Sequence, residues 1–168
     1  MENKKATPID VLFEKPLFNW WKGLDEDKAS RAILRRCSTI DEVTLSNTYQ
    51  RFYRYMLNCG WPVDAASWQN DRLAAIAGLL SHVKVDDLKN LPLRMSELSG
   101  DRQLVSELRF SSLLKVEDIN DLFISLRRTF PLIKNQTNIK QLALDVYWWN
   151  DKTKKEWAYS YKWTMNKQ

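Results

Sequence analysis

Residues 106–130 read SELRFSSLLKVEDINDLFISLRRTF. Ile119, Leu122, Phe123, Leu126 and Phe130 recur at spacings of three and four, which lines one face of an α-helix. A shorter helix is expected before it, around Arg109 and Phe110. Arg127 falls at the border of the apolar face and Arg128 on its far side. These arginines either solvate helices or face something negatively charged, and the rest of the chain has to decide between the two.

The same periodicity dominates the rest of the chain. Four glycines and five prolines punctuate 168 residues, and no alternating β-branched run exceeds a few positions, so the fold class is all-α. A helical segment is expected over residues 7–24, with Thr7 as N-cap, Pro8 in the first turn and Pro16 kinking or splitting it. Residues 25–38 form a second, opening on acids and carrying Arg31 and Arg35 on one face. Residues 44–61 place Tyr49, Phe52, Tyr53, Met56 and Leu57 on a core stripe, with Gly60 just past the end. Residues 67–83 align Leu73, Ile76, Leu80 and Val83. Near the C-terminus, Ile139, Leu142, Ala143, Val146 and Trp149 point inward, followed by Trp157 and Tyr161 at i,i+4. Seven or eight helices result. Residues 84–102 mix charges with Pro92 and Gly100 and are the expected hinge, dividing an N-terminal helical lobe, 1–95, from a C-terminal one, 96–168.

With 44% hydrophobic and 12% aromatic residues, the chain can bury enough apolar area to offset its ordering entropy. No stretch has the length of a signal-peptide core or a bilayer span, so a soluble, cytoplasmic protein without membrane contact is expected. Cys37 and Cys59 form no CxxC pair and are expected to be reduced and buried. The one histidine, His82, lies in an apolar stretch and cannot alone supply a metal cage and its orienting partners. GxGxxG and GxxxxGK[ST] are absent, and the pairs Asp25/Asp27 and Asp86/Asp87 suit helix starts and a polar loop. No enzyme activity, cofactor or metal is therefore expected.

The net charge is +5 and unevenly spread: residues 134–168 carry seven lysines against three acids, and residues 28–54 six basic residues against two acids. Patchy positive charge admits nucleic acid as a partner without requiring it. Adjacent tryptophans at 20/21 and 148/149 can point only one member inward each, which leaves the outward one for protein–protein contact.

Four blocks recur in a telling order. They are A-x-L-R-R (Ala32, Leu34, Arg35, Arg36), S-x-x-R-F-x-x-L-L (Ser106, Arg109, Phe110, Leu113, Leu114), the pair Arg127/Arg128, and W-(x7)-W-A-x-x-Y (Trp149, Trp157, Ala158, Tyr161). In this order and chain length the sequence resembles the CasB family, the small subunit of the type I-E CRISPR surveillance complex Cascade. That resemblance implies two small helical bundles forming one compact, elongated, non-catalytic protein. It also implies partners: CRISPR RNA and target DNA through their backbones, other Cascade subunits, and a second copy of the chain. In that family the subunit steadies the guide and target strands and holds the displaced strand of the R-loop. The nucleic-acid-binding candidates are then Arg35, Arg36, Arg109, Lys115, Arg127 and Arg128, with guanidinium suiting phosphate geometry better than ammonium. The alternative is a helical adaptor whose basic patches meet an acidic protein.

Overall fold

Pro16 does divide the first segment. The computed structural model describes residues 8–165, and there α1 (Pro8–Glu14) ends one residue before α2 (Pro16–Gly23) begins; Thr7, the expected first cap, lies outside the described residues. The chain continues through α3 (Lys28–Arg36), α4 (Ile40–Thr44), α5 (Asn47–Asn58) and α6 (Ser67–Leu80). After β1 (Val85–Asp86), α7 (Leu91–Met95), β2 (Leu98–Ser99) and β3 (Arg102–Gln103) come α8 (Glu107–Leu114) and α9 (Ile119–Thr129). A 3-10 turn (Phe130–Ile133), β4 (Gln136–Thr137), α10 (Ile139–Tyr147) and α11 (Asp151–Ser160) complete the chain. The all-α expectation holds.

Local chemistry sets the helix starts. Asp27, Thr39, Ser46, Ser106, Asp118 and Asn150 each accept a hydrogen bond from the backbone N–H three residues on, satisfying one of the donors a helix leaves unpaired. Gly60, at φ +112, follows α5 where the expected stop lies.

Helix α6 is the axis of the fold. Leu73 through Leu80 are all buried, so this part of the helix is covered on every side, with α4, α9 and α10 packed around the helix. Gly78 is the point of closest approach: a Cβ there would meet Phe123 Cε2 at 2.7 Å and Val43 Cγ2 at 2.9 Å. Because α6 belongs to residues 1–95 and α9 and α10 to 96–168, one cluster of buried side chains runs from Leu12 to Tyr161 through both segments. Buried indoles keep hydrogen-bond partners, as burial demands: Trp21 Nε1 donates to the Val83 carbonyl at 2.9 Å, and Trp149 Nε1 to that of Val116 at 2.8 Å.

The stretch expected to be a hinge or lobe boundary is joined to residues 136–139. β1 pairs in parallel with β4, aligning Val85 with Gln136 and Asp86 with Thr137. Asn138 Nδ2 donates to the Asp87 carbonyl at 2.9 Å, and the Ile139 N–H to Asp86 Oδ1 at 2.9 Å. Arg94 faces Asp87 at 3.6 Å and Glu97 at 2.7 Å. β2 and β3 form a small hairpin around Gly100.

Candidate nucleic-acid interface

Helix α8 begins where Ser106 Oγ accepts from the Arg109 N–H at 3.3 Å. Its inner face is fixed by Phe110, fully buried and stacked on Tyr161 with ring centres 4.1 Å apart, and by Leu113. Tyr161 Oη in turn donates to the Val105 carbonyl at 2.6 Å. With that face locked, Leu108, Arg109 and Ser112 point outward. Helix α9 is locked in the same way by Leu122, Phe123 and Leu126, all fully buried.

Between the two helices runs a groove of about 640 Å³. Val105, Leu113, Val116 and Leu132 contribute apolar surface to it, and both Arg109 and Arg128 line it. Neither arginine side chain has a hydrogen-bond or ion-pair partner among the described residues. Two arginines 19 positions apart in sequence thus meet over one concavity with their donors unspent.

Arg127 behaves differently. Half-buried, it sends Nη2 to the Arg35 carbonyl at 3.0 Å, while its buried Nε finds no partner. The acceptor belongs to the last turn of α3, where carbonyls lack partners within the helix and the dipole's negative end favours a cation. Arg127 is therefore a clamp between α9 and α3. The Arg35 and Arg36 side chains stay exposed at the same end of α3, and Lys115 is exposed at the C-cap of α8. His82 lies just past α6 rather than within it, stacked on Phe130 with ring centres 5.9 Å apart. Burial, helped by the charges of Arg35 and Arg127, pushes its imidazole down to about 4. It remains neutral at physiological pH beside these cations.

The family model described as CRISPR-associated protein Cse2 matches residues 30–161. The chain belongs to the Cse2 family, the one named CasB above. A chain in the crystal structure of E. coli Cascade bound to a PAM-containing dsDNA target is similar in fold, with a TM-score of 0.62. The two are 18% identical, over 90% of this chain and 91% of that one. No curated protein matches significantly.

All six candidate cations of this Cse2-family chain fall inside the matched region. The structure joins Arg109 to Arg128, and Arg127 to Arg35; Arg36 and Lys115 stand at helix ends. Some other basic residues are occupied. Arg31 pairs with Asp25 at 3.2 Å instead of joining Arg35, Lys140 faces Glu14 at 3.3 Å, and Lys154 lies 5.8 Å from the Trp149 ring centre. Lys89 bonds Glu97. The sequence reading missed Leu108, Ser112 and Ser125 as groove residues. Their only sequence signal is that they avoid the apolar stripe.

Of the tryptophan pairs, Trp21 and Trp149 are buried, whereas Trp20 is half-buried and Trp148 exposed. Trp148 and the exposed Trp68 both pack on Tyr147, at 4.7 and 5.7 Å between ring centres. Cys37 is buried as expected, but Cys59 is only half-buried; both are free. Among the described residues no cluster could hold a metal ion, and no helix is long and apolar enough to cross a membrane.

Proposed function

We propose that this chain is a non-catalytic subunit of a Cascade complex that holds CRISPR RNA and target DNA by their backbones and stabilises the displaced non-target strand. One observation carries the proposal: Arg109 and Arg128, without a partner among the described residues, line a single groove. Each phosphate they neutralise releases counterions and adds affinity that does not depend on sequence. R-loop formation exchanges one duplex for another of similar stability, so a few such contacts decide its balance. Arg35, Arg36 and Lys115 extend the positive surface, and Arg127 holds the helices that present it. The exposed Trp68 and Trp148 around Tyr147 suit contact with neighbouring subunits or a second copy.

The test is the double variant Arg109→Glu/Arg128→Glu in the assembled complex, with chemical footprinting of the displaced strand. The expected result is normal assembly with weakened protection of that strand and shorter-lived R-loops. If the variant drops out of the complex while DNA binding by the remainder is unchanged, the basic surface meets an acidic protein and the adaptor reading replaces this one.

A further inference from the structure

We infer that the groove between α8 and α9 takes an unstacked nucleobase of a single strand, with the flanking phosphates on Arg109 and Arg128. This rests on the nucleic-acid reading above and adds which part of the strand is recognised. A site for phosphate alone needs donors and little else. This groove has more. Its volume of about 640 Å³ falls among those of pockets that enclose small organic ligands. Val105 and Leu113 are buried in its floor, and Val116 and Leu132 add half-buried apolar surface. Such walls gain nothing from an anion but bury the apolar faces of a base.

The polar groups in the groove are hydroxyls with acceptor capacity to spare. Ser112 Oγ donates to the Leu108 carbonyl at 3.0 Å and Thr129 Oγ1 to that of Ser125 at 2.9 Å, which leaves their lone pairs open. Ser125 Oγ has no partner among the described residues. Hydroxyls both donate and accept, so they tolerate any base edge and impose little sequence preference. Leu108, 79% exposed, also lines the groove and offers the aliphatic flank on which a base that has lost its stacking neighbour can lie. Because α8 and α9 are locked from their inner faces, the groove exists before the ligand arrives and little ordering is lost on binding. A base within a duplex is stacked on both sides and cannot enter, so single strands are favoured.

The experiment is fluorescence anisotropy of the full chain with two labelled oligomers of equal length and charge, one of deoxythymidine and one fully abasic. The abasic chain is expected to bind about tenfold more weakly, as loss of the apolar area that one base buries against aliphatic walls implies, with the same dependence on salt. Filling the groove with Ser112→Leu/Ser125→Leu is expected to bring the deoxythymidine oligomer down to the abasic level and leave the abasic one unchanged. Equal binding of both oligomers by the wild-type chain, lost from both in Arg109→Gln/Arg128→Gln, overturns the base inference and leaves the phosphate reading standing. Absence of salt-dependent binding to either oligomer overturns both. The wild-type comparison decides the matter even if the groove-filling variant fails to fold.

Discussion

Replacing Asp145 with asparagine removes a carboxyl that burial pushes up to about 6, against the hydrogen bonds it accepts from Gln141 Nε2 and Trp157 Nε1, each at 2.8 Å. Between pH 4 and 6 the folded chain keeps this proton and the unfolded chain has released it, so stability falls as pH rises through that window. At about 1.4 kcal/mol per pH unit, a carboxyl moved from 3.8 to about 6 costs roughly 3 kcal/mol at neutral pH. His82 works the other way. Held down at about 4 against an unfolded value of 6.5, it stays neutral when folded while the unfolded chain takes up a proton, so stability falls as pH drops from 6.5 to 4. The size is again about 3 kcal/mol, and the two opposite slopes nearly cancel in the natural chain. Asp145→Asn leaves the histidine slope uncovered: its stability relative to wild type should fall by roughly 3 kcal/mol between pH 6.5 and pH 4. His82→Gln should show the mirror image, gaining on wild type as pH falls. Asp27, Glu42 and Glu107, lowered by hydrogen bonds from Ser30, Ser38 and Thr164, are common to all three proteins and drop out of the comparison. Urea unfolding followed by tryptophan fluorescence from pH 4 to 7.5 reads the difference, and any constant packing offset leaves its slope intact. A pH-independent difference between Asp145→Asn and wild type would refute the reasoning.

Gly78→Ala should lower the melting temperature. Overpacking against Phe123 and Val43 costs about 1–3 kcal/mol, outweighing a gain in helix propensity of about 1 kcal/mol; a rise would mean that α4 and α9 do not close on α6 as described. Arg127→Gln should destabilise the chain by about 1–2 kcal/mol through loss of its bond to the Arg35 carbonyl, seen in urea midpoints. Arg128→Gln, at an exposed position with no partner among the described residues, should stay within about 0.5 kcal/mol of wild type while weakening single-strand binding.

Periodicity revealed the long helices because each buries one face, and Pro16 and Gly60 marked their ends. It undersold α6, whose alanines and Gly78 carry little hydrophobic signal although neighbours enclose them on all sides. α4 and α7 have five residues each, too few for a period to show. The ties on the expected hinge or lobe boundary were hidden for a different reason: the bonds that Asp86 and Asp87 accept from residues 139 and 138 span about fifty positions, and no local pattern encodes them. For the site, the position of each arginine relative to the apolar stripe was informative. Arg127, on its border, became a structural clamp; Arg128, beyond it, stayed free. That Arg128 shares a groove with Arg109 depends on where α8 and α9 sit relative to each other, which only the tertiary fold sets.

If Arg109 and Arg128 grip the phosphates of a single strand, a salt titration of the full chain against a labelled single-stranded DNA will register both contacts. Binding should weaken linearly on a log–log plot, and Arg109→Gln/Arg128→Gln should reduce the slope by about 1.4, at about 0.7 per phosphate contact. Parallel lines for the variant and the natural chain would contradict the account.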